Sequence, residues 1–441
     1  MQRQQAVVIG ASIAGLVAAR ALANHFQKVI IVERDDLDPT TQPRKGVPQA
    51  NHVHILLTGG FNVLQHYFPS FTSDLNAAGV PQLNWSRDVQ WFQAGSWKTR
   101  QPCSISFYPQ ARATLESRIR EYVRQHPKIE FRGQTKVEQL LFDASKTKVT
   151  GVLVNQAEQS SEIAADLVVD TTGRGSRTGQ WLEAAGYQTP TKEVMLIDLV
   201  YVSQVFKKTA TPRNWQCLAC HPSKNSPRGA IIAPIDDEHW IVTLFGYLGQ
   251  HPTPTNADVL EFVKNLPVPD IYTTLAEATA VSEPVRFGYP QQVFQRYDKL
   301  KRFPQGFLVL GDALCSVDPV FGQGMTLACK EAQALDQVLA SAQGQQAATL
   351  AQAFFKQTQK IIEVPWLITQ AEALRFKGMP GSRSPKIRFL QWYTEHVFWL
   401  SAQSTEIYQA FLDVMHLLAG PEALLRPKVV RGVLGRMFGR A

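Results

Sequence analysis

Several features that define whole classes of protein are missing from this 441-residue sequence. Its five cysteines are too few and too dispersed for a disulfide framework in so long a chain. No run of about 18 uncharged apolar residues occurs, so the sequence predicts no membrane-spanning helix. The N-terminus enters an apolar strand pattern directly, without the charged and apolar regions of a secretory signal. Together these absences predict a cytoplasmic protein with reduced thiols.

The distribution of charge along the sequence leaves an anionic membrane surface open as a binding partner. The net charge of +8 would suit a polyanion, but the basic residues are mostly dispersed and nucleic-acid-binding motifs are absent, so no nucleic acid partner is expected. The exception is the C-terminus, where basic and apolar residues interleave at helical spacing. Such a segment either lies on an anionic membrane surface or packs on the protein body with its charges in solvent. Its basic residues are Arg426, Lys428, Arg431, Arg436 and Arg440.

A strand, a glycine-containing turn, a helix and a second strand follow one another at the N-terminus. Residues 6–9 are a short apolar run, residues 13–24 have an alanine- and leucine-rich helical pattern, and residues 28–33 are a second apolar run. This order and length are typical of a βαβ unit that binds a dinucleotide. Further buried strands are predicted at 165–170 and 306–311.

The first turn carries a variant of the dinucleotide-binding fingerprint. Ser12 replaces the middle glycine and is the smallest substitute that still lets a pyrophosphate approach the backbone. The start of the helix offers unpaired N–H groups and the positive end of the helix dipole. Glu33 ends the second strand, where an acidic side chain accepts hydrogen bonds from the adenosine ribose. The cofactor-binding residues predicted in this unit are Gly10, Ser12, Ile13, Ala14, Gly15, Glu33 and Arg34.

The most specific string in the chain, GDALCSVDPVFGQGM, runs from Gly311 to Met325. Asp312 is placed at the end of a strand, where it can accept a hydrogen bond from a ribityl hydroxyl group. The following loop offers backbone N–H groups to the edge of a flavin ring, and the next helix directs its dipole at the cofactor. The cofactor-binding residues predicted here are Asp312, Pro319, Gly322, Gln323, Gly324 and Met325, with Gly173 in the turn TTGRGSR after the third strand.

In this order and at these separations, the three turns resemble those of the para-hydroxybenzoate hydroxylase-like FAD-dependent monooxygenases. The strings GASIAGL and GDA…DPVFGQGM resemble a bacterial subgroup of that family, over about residues 1–340. The resemblance identifies the dinucleotide as FAD. It implies cofactor contacts by Arg112, which opens a helix in YPQARATLESRIR, and by Arg44. We also assign His54 and Val137 to the cofactor site.

The resemblance implies a reaction. Such enzymes reduce FAD with NADPH or NADH, hold O₂ as a flavin C4a-hydroperoxide and transfer one oxygen atom to an electron-rich carbon, by hydroxylation or epoxidation. Two residues depart from the family pattern: Thr172 stands where the family has an aspartate linked to NADPH handling, and Cys315 where it usually has histidine. Because Thr172 replaces that aspartate, a separate flavin reductase stays open as the electron source. The aromatic content of the remaining segments favours an apolar or aromatic small-molecule substrate.

These patterns predict an α/β fold with a Rossmann-like FAD-binding domain, an interleaved antiparallel-sheet substrate domain and a helical C-terminal region. Strands are expected across Trp85–Phe107, and the C-terminal helices are expected to break at Pro365 and around Gly378–Pro385. The predicted ranges are 1–74, 107–190 and 284–345 for the FAD-binding domain, 75–106 and 191–283 for the substrate domain, and 346–441 for the helical region.

Other functions compete with oxygen transfer. An FAD-dependent reductase, dehydrogenase or cyclase of an isoprenoid-like substrate would keep the same cofactor motifs. A flavin-dependent halogenase is disfavoured because its Trp-x-Trp-x-Ile-Pro string is absent, and a non-enzymatic binding protein is disfavoured by the intact loop Pro319–Gly324. The sequence assigns no catalytic residue.

Two sequence patterns are similar to metal-binding or haem-attachment sites. His52 and His54 face the same side of an extended segment, but no further ligands lie nearby in the sequence, so no metal is predicted. Cys217, Cys220 and His221 match the attachment pattern of c-type haem. That attachment belongs to exported proteins, and because no export signal is present we interpret the match as coincidence.

Overall fold

Two large sheets carry the fold, one parallel and one mostly antiparallel, and helices pack on both. The computed structural model describes residues 3–37, 44, 46–342, 344 and 346–437. The strands are β1 Arg3–Ile9, β2 Phe26–Val32, β3 Leu83–Asn84, β4 Val89–Gln93, β5 Ser96–Trp97, β6 Ser106–Phe107, β7 Ile129–Arg132, β8 Thr135–Phe142, β9 Val149–Gln156, β10 Gln159–Ala164, β11 Leu167–Asp170, β12 Lys192–Lys207, β13 Cys217–Cys220, β14 Arg228–Pro234, β15 His239–Tyr247, β16 Thr279–Ala280, β17 Val285–Gln295, β18 Phe307–Val309 and β19 Cys315–Ser316. The helices are α1 Ile13–Leu22, α2 Thr58–Tyr67, α3 Phe71–Ala77, α4 Trp85–Asp88, α5 Arg112–Arg124, α6 Thr178–Ala184, α7 Asn256–Lys264, α8 Asp270–Glu277, α9 Gly324–Ala340, α10 Ala347–Ala373, α11 Pro385–Leu400, α12 Thr405–Met415 and α13 Pro427–Met437.

The parallel sheet has the strand order β18-β11-β1-β2-β7. All of its neighbouring strands run parallel, so their carboxyl ends meet at one edge of the sheet. The turns that follow β1, β11 and β18 are the three turns singled out in the sequence. The apolar runs predicted as buried strands are confirmed, and so is the α/β fold class with its Rossmann-like core.

A smaller antiparallel sheet, in the order β10-β9-β8, continues from the parallel sheet. It begins beside the end of β2, because the N–H of Thr135 donates to the carbonyl of Glu33 at 2.8 Å. Strands β8 and β9 form its antiparallel hairpin.

The large sheet has the order β19-β17-β12-β15-β14-β13-β4-β5, with β16 also paired to β12. Side chains alternate between its two faces. One face packs against α7 and α8, with Val242, Leu244, Phe262 and Ile271 in the shared core. The other face is turned toward the parallel sheet and the C-terminal helices. The sheet continues past residue 283, the predicted domain boundary, because β17 pairs with β12.

Two local predictions are wrong. Residues 85–88 form the short helix α4 instead of a strand, because the Asn84 side chain caps it by accepting the N–H of Arg87 at 3.2 Å. Pro365 lies inside α10 and does not break it. Buried neighbours, among them Ile362 and Trp366, hold the helix together through the residue that lacks an N–H. The second predicted break is confirmed by the gap between α10 and α11.

The basic C-terminal segment forms α13. Its buried residues Val429 and Val433 join a core cluster with α11 and α12, whereas Leu434 and Met437 are exposed. Phe438 and Arg440 lie outside the described residues. Contact of this segment with a membrane surface stays a prediction. Within the described part of the chain, no helix is both long enough and apolar enough to cross a bilayer.

Candidate functional site

The first turn is built for close approach to its backbone. Gly10 has φ +106°, a conformation that side chains rarely adopt, and a Cβ atom on Gly15 would lie 1.9 Å from the carbonyl oxygen of Gly10. Leu16 is the first residue whose N–H bonds within α1, to the carbonyl of Ser12 at 2.9 Å. The preceding N–H groups of α1 have no acceptor within the helix. They form the anion-binding end of the helix that the sequence predicts.

Glu33 holds this turn from the neighbouring strand. One carboxylate oxygen accepts the N–H of Ala11 at 2.8 Å, and the other accepts the N–H of Asp35 at 3.0 Å. Each carboxylate oxygen can accept a second bond, so the group can also bind ribose hydroxyls. Arg34 beside it is exposed. Val137 is buried on β8, which starts next to Glu33.

A buried ion-pair cluster that the sequence did not reveal lies against the turn. Its centre is Glu116 on α5, which is 3% exposed. Its carboxylate pairs with Arg44 at 2.6 Å, with Arg112 at 2.8 Å and with Arg120 at 3.0 Å, and it accepts the hydroxyl of Ser12 at 2.8 Å. Burial alone would raise the pKa of Glu116, but Arg112 and Arg44 outweigh burial and lower the pKa to about 2. The cluster orients two of the predicted cofactor arginines.

The second and third turns meet at the same edge. Gly173 has φ +73°, and a Cβ atom there would lie 3.9 Å from the Cβ of Asp312. The loop after Asp312 is held by Asp318, which accepts the N–H of Val320 at 3.0 Å, and by Gln323, which donates to the carbonyl of Met415 at 3.1 Å. The loop predicted to face the flavin is therefore anchored to α12.

A cavity of about 310 Å³ runs along this edge and continues toward the large sheet. The cavity combines backbone N–H groups, arginine side chains, a carboxylate and an apolar recess. These groups suit the phosphates, ribityl chain and flavin ring of FAD, so the residues present fit this cofactor. Contact with FAD stays a prediction for each residue. The predicted residues that line the cavity are Ser12, Ile13, Ala14, His54, Arg112, Gly173, Asp312, Pro319, Gly322, Gln323, Gly324 and Met325. The first turn itself contains Gly10 and Gly15, and Glu33 and Arg44 lie against it.

The far part of the cavity, called the chamber below, is apolar. One wall is the inner face of the large sheet, where Tyr201 lies between Phe245 and Phe287 on the neighbouring strands. Cross-strand neighbours continue this wall through Thr243, Ile231, Ala219 and Trp91. The opposite wall comes from the C-terminal helices, which the sequence did not connect with the substrate. Its residues are Ile368, Thr394, Val397, Phe398, Phe411, Val414, Met415 and Leu424.

Both histidines of the extended segment line the cavity. The Nδ1–H of His54 donates to the carbonyl of His52 at 2.9 Å, so the Nε2 atom of neutral His54 is an acceptor. Burial, together with the charge of Arg112, lowers the pKa of His54 to about 3. Burial lowers the pKa of His52 to about 4. Both side chains are therefore neutral hydrogen-bonding groups at ordinary pH.

The cysteines form no redox or haem site. Cys217 and Cys220 are three residues apart on β13, so their side chains point to opposite faces of the sheet and pack in different core clusters. Cys315 is buried on β19, and burial raises the pKa of its thiol, which disfavours a nucleophilic role. In the part of the chain that the structure describes, no group of three or more histidine, cysteine, aspartate or glutamate side chains is arranged to hold a metal ion.

A buried carboxyl group supports the third turn. Glu331 on α9 accepts the N–H of Gly311 at 2.6 Å, and burial raises the pKa of Glu331 to about 8. The unfolded chain ionises this group from about pH 4.5, whereas the folded protein keeps it protonated until about pH 8, so stability falls between these values.

We therefore expect E331Q, which keeps an acceptor for Gly311, to gain stability over the native protein as the pH rises from 5 to 8. The expected gain is at least about 1 kcal/mol in the free energy of unfolding, measured by urea denaturation at both pH values. An equal difference between the two proteins at both pH values would contradict the expectation.

Comparisons with known proteins agree with this site. The model of the family described as FAD binding domain matches residues 3–361. Protein Rv3254 of Mycobacterium tuberculosis (strain ATCC 25618 / H37Rv) is 31% identical over 395 residues, which covers 87% of this chain and 83% of that protein.

Solved structures share the fold. The flavin-dependent brominase Bmp2 superposes with a TM-score of 0.70 at 15% identity, covering 99% of both chains. A flavoprotein/dehydrogenase from Cytophaga hutchinsonii gives 0.70 at 14% identity, covering 99% of this chain and 100% of that chain. PqsL, a probable FAD-dependent monooxygenase from Pseudomonas aeruginosa, gives 0.62 at 17% identity, covering 84% of this chain and 93% of that chain. At these identities the likeness concerns the fold alone. With the family match and the geometry of the three turns, the chain belongs to the FAD binding domain family, as an FAD-dependent oxidoreductase related to the para-hydroxybenzoate hydroxylase-like enzymes.

Proposed function

We propose that the protein is a monooxygenase that adds one oxygen atom of O₂ to an apolar or aromatic small molecule, by hydroxylation or epoxidation. Bound FAD would supply the redox chemistry that activates O₂. The observation that carries the proposal is the apolar chamber, which continues directly from the loop predicted to face the flavin. A reacting carbon held in this chamber lies next to the cofactor and away from bulk water.

The charges around the cavity favour a neutral substrate. Of the described residues that line it, the charged ones are Arg112, Arg174 and Asp312, all at the cofactor edge. Arg174 stacks on the ring of Tyr289, 4.5 Å from its centroid. The polar side chains of the chamber, such as Gln93, are uncharged. A carboxylate or phosphate on the substrate would find no counter-ion there, so we exclude anionic substrates from the proposal.

An oxygenase must shield its activated oxygen from water, and aromatic side chains around the chamber support this role. Phe245, Phe287 and Phe398 line the chamber from three different elements. The bond from Gln323 to the carbonyl of Met415 links the flavin loop to the helical wall. Movement of the helical wall would therefore displace the loop, because this bond joins the two surfaces.

The electron source is NADPH or NADH, or a separate flavin reductase. The hydroxyl of Thr172 donates to Asp170 at 2.6 Å and its N–H donates to the same oxygen at 2.9 Å, so its polar groups are occupied within the turn. The position thus offers no carboxylate for nicotinamide handling. This favours the reductase among the three sources.

A reductase, dehydrogenase or cyclase of an isoprenoid-like substrate is the second candidate. The same apolar, uncharged chamber supports it, since an isoprenoid needs neither an ion pair nor a polar recess. It differs from the first candidate in one property, the fate of O₂.

One experiment separates these candidates. In parallel runs the FAD-containing protein is reduced anaerobically with NADPH, with NADH or with a stoichiometric amount of dithionite. It is then mixed with O₂ in the presence of apolar compounds, while the flavin absorbance is recorded by stopped flow. We expect reoxidation through a transient spectrum that is neither reduced nor oxidised flavin. Direct reoxidation across the whole panel would favour the second candidate. Reduction by dithionite but by neither nicotinamide would identify a reductase as the electron source.

A further inference from the structure

Nε2 of His52 is one of several buried polar atoms of cavity-lining residues that have no partner among the described residues; Nε1 of Trp91 and Oε1 of Gln93 are others. His52 is 2% exposed and lines the chamber, and its ring lies 5.8 Å from the ring of Tyr201 and 5.5 Å from that of Phe287. Among the described residues, no group forms a hydrogen bond with its Nε2 atom. Buried polar atoms without a partner are rare in native proteins, and in a cavity they often mark the place of a ligand.

The His52 ring is held in one orientation. Its Nδ1 atom lies 2.7 Å from the hydroxyl oxygen of Ser203, which lies 2.6 Å from that of Thr243. The N–H of Val53 donates to the Thr243 hydroxyl at 2.9 Å, so both ends of this chain of bonds are on the extended segment. These bonds occupy Nδ1 and leave Nε2, on the other side of Cε1, as the nitrogen without a partner among the described residues.

A second buried histidine shows what distinguishes this one. His416 also has an Nε2 atom without a protein partner, but its ring packs edge-on against Trp85 at 4.4 Å, and it does not line the chamber. His416 therefore belongs to the core, whereas His52 lines the chamber.

We propose that Nε2 of His52 is the hydrogen-bonding anchor for one oxygen atom of the substrate, a neutral and largely apolar ring system that carries a hydroxyl or carbonyl group. The inference rests on the proposed function, in which the chamber holds the substrate. It adds a specificity-determining residue and a functional group. A hydroxyl both donates and accepts, so it suits either tautomer of His52, and a carbonyl suits the tautomer with hydrogen on Nε2. The apolar walls then fix the rest of the ring system.

The experiment compares two probes of equal shape, 2-naphthol and 2-methylnaphthalene, binding to the FAD-containing protein. Dissociation constants come from the perturbation of flavin absorbance, which reports binding next to the cofactor. This readout excludes the second cavity that His52 lines, of about 320 Å³, which lies on the other side of the extended segment. The variants are H52F and H52Q, with S203A to remove the hydroxyl that orients the ring. The control is H66F, at an exposed histidine on α2 outside the chamber.

We expect the native protein and H66F to bind 2-naphthol about tenfold more tightly than 2-methylnaphthalene, the value of one buried hydrogen bond. In H52F the preference should vanish while 2-methylnaphthalene binds within about threefold of native affinity, and H52Q should keep part of the preference. S203A should reduce the preference without abolishing binding. Flavin content and thermal midpoint confirm that each variant is folded.

Two failures are distinguishable. If H52F keeps the native preference, the anchor is wrong, while the chamber and the oxygenase proposal stand. If the native protein binds neither probe, the assignment of the chamber to an apolar substrate is itself wrong, and the anchor fails with it.

Discussion

Replacement of Gly15 by alanine should yield a protein that contains no FAD. A Cβ atom at this position would lie 1.9 Å from the carbonyl oxygen of Gly10 and 2.8 Å from the hydroxyl of Thr171. Neither neighbour can yield, because the N–H of Gly10 is bonded to β2 and the Thr171 hydroxyl donates to Ile9 at 2.8 Å. We expect the substitution to lower the free energy of unfolding by at least about 3 kcal/mol. Helix α1 must move away from strand β1 to relieve the clash, and this movement opens the first turn.

Flavin content of the purified protein, titration of the apoprotein with FAD and the thermal midpoint measure this effect. G179A is the matched control, since a Cβ atom on Gly179 would meet its nearest neighbour at an ordinary 3.9 Å, at the start of α6. The control should retain native flavin content. Native flavin content and stability in G15A would show that helix and strand do not pack as described.

Replacement of Glu116 by glutamine should destabilise the protein by about 3 kcal/mol at pH 7, because buried Arg112 and Arg120 lose the carboxylate that pairs with them. Arg44 keeps its pairs with Glu33 and Asp35. The folded protein holds the pKa of Glu116 at about 2, below the value of about 4.5 in an unfolded chain. The carboxylate therefore contributes stability above about pH 4.5, and this contribution is lost as the pH falls toward 2. The difference between the native protein and E116Q should shrink over the same interval.

Denaturant titrations at pH 7 and pH 3 measure both parts of this expectation. E130Q is the control, since Glu130 is a surface carboxylate that pairs with Lys28 and Arg132 in solvent, and its loss should cost less than about 1 kcal/mol. A native-like stability of E116Q at pH 7 would mean that the arginines find other partners. It would also remove the argument that this cluster orients Arg44 and Arg112.

The cofactor edge was predictable because its signals are local. Gly10, Ser12 and Gly15 lie within six residues, and the strand before them and the helix after them have clear periodicities. Parallel strands place their carboxyl ends at one edge, so the later turns at Gly173 and Asp312 had to join the first. The rule requires only the order of the elements along the chain.

Glu116 escaped prediction for the opposite reason. Glu116 follows Arg112 by four residues on a helix, and this spacing is typical of an ordinary ion pair on the protein surface. Only the fold brings Arg44 against it from a segment 72 residues away and buries the group. The bonds of His52 are of the same kind, since Ser203 is 151 residues distant. Likewise, the helix after Pro365 persists because buried neighbours outweigh a local preference.

By itself, the sequence determined the parallel sheet, the phosphate turn with Ser12, the acidic residue Glu33 and the loop around Pro319, and with them the cofactor. Those features depend on contacts between near neighbours and on backbone geometry that glycine and strand order specify. The tertiary structure alone decided which residues line the chamber. The chamber joins one face of the large sheet to helices that begin after residue 346, and no local pattern encodes packing between segments so far apart in the chain.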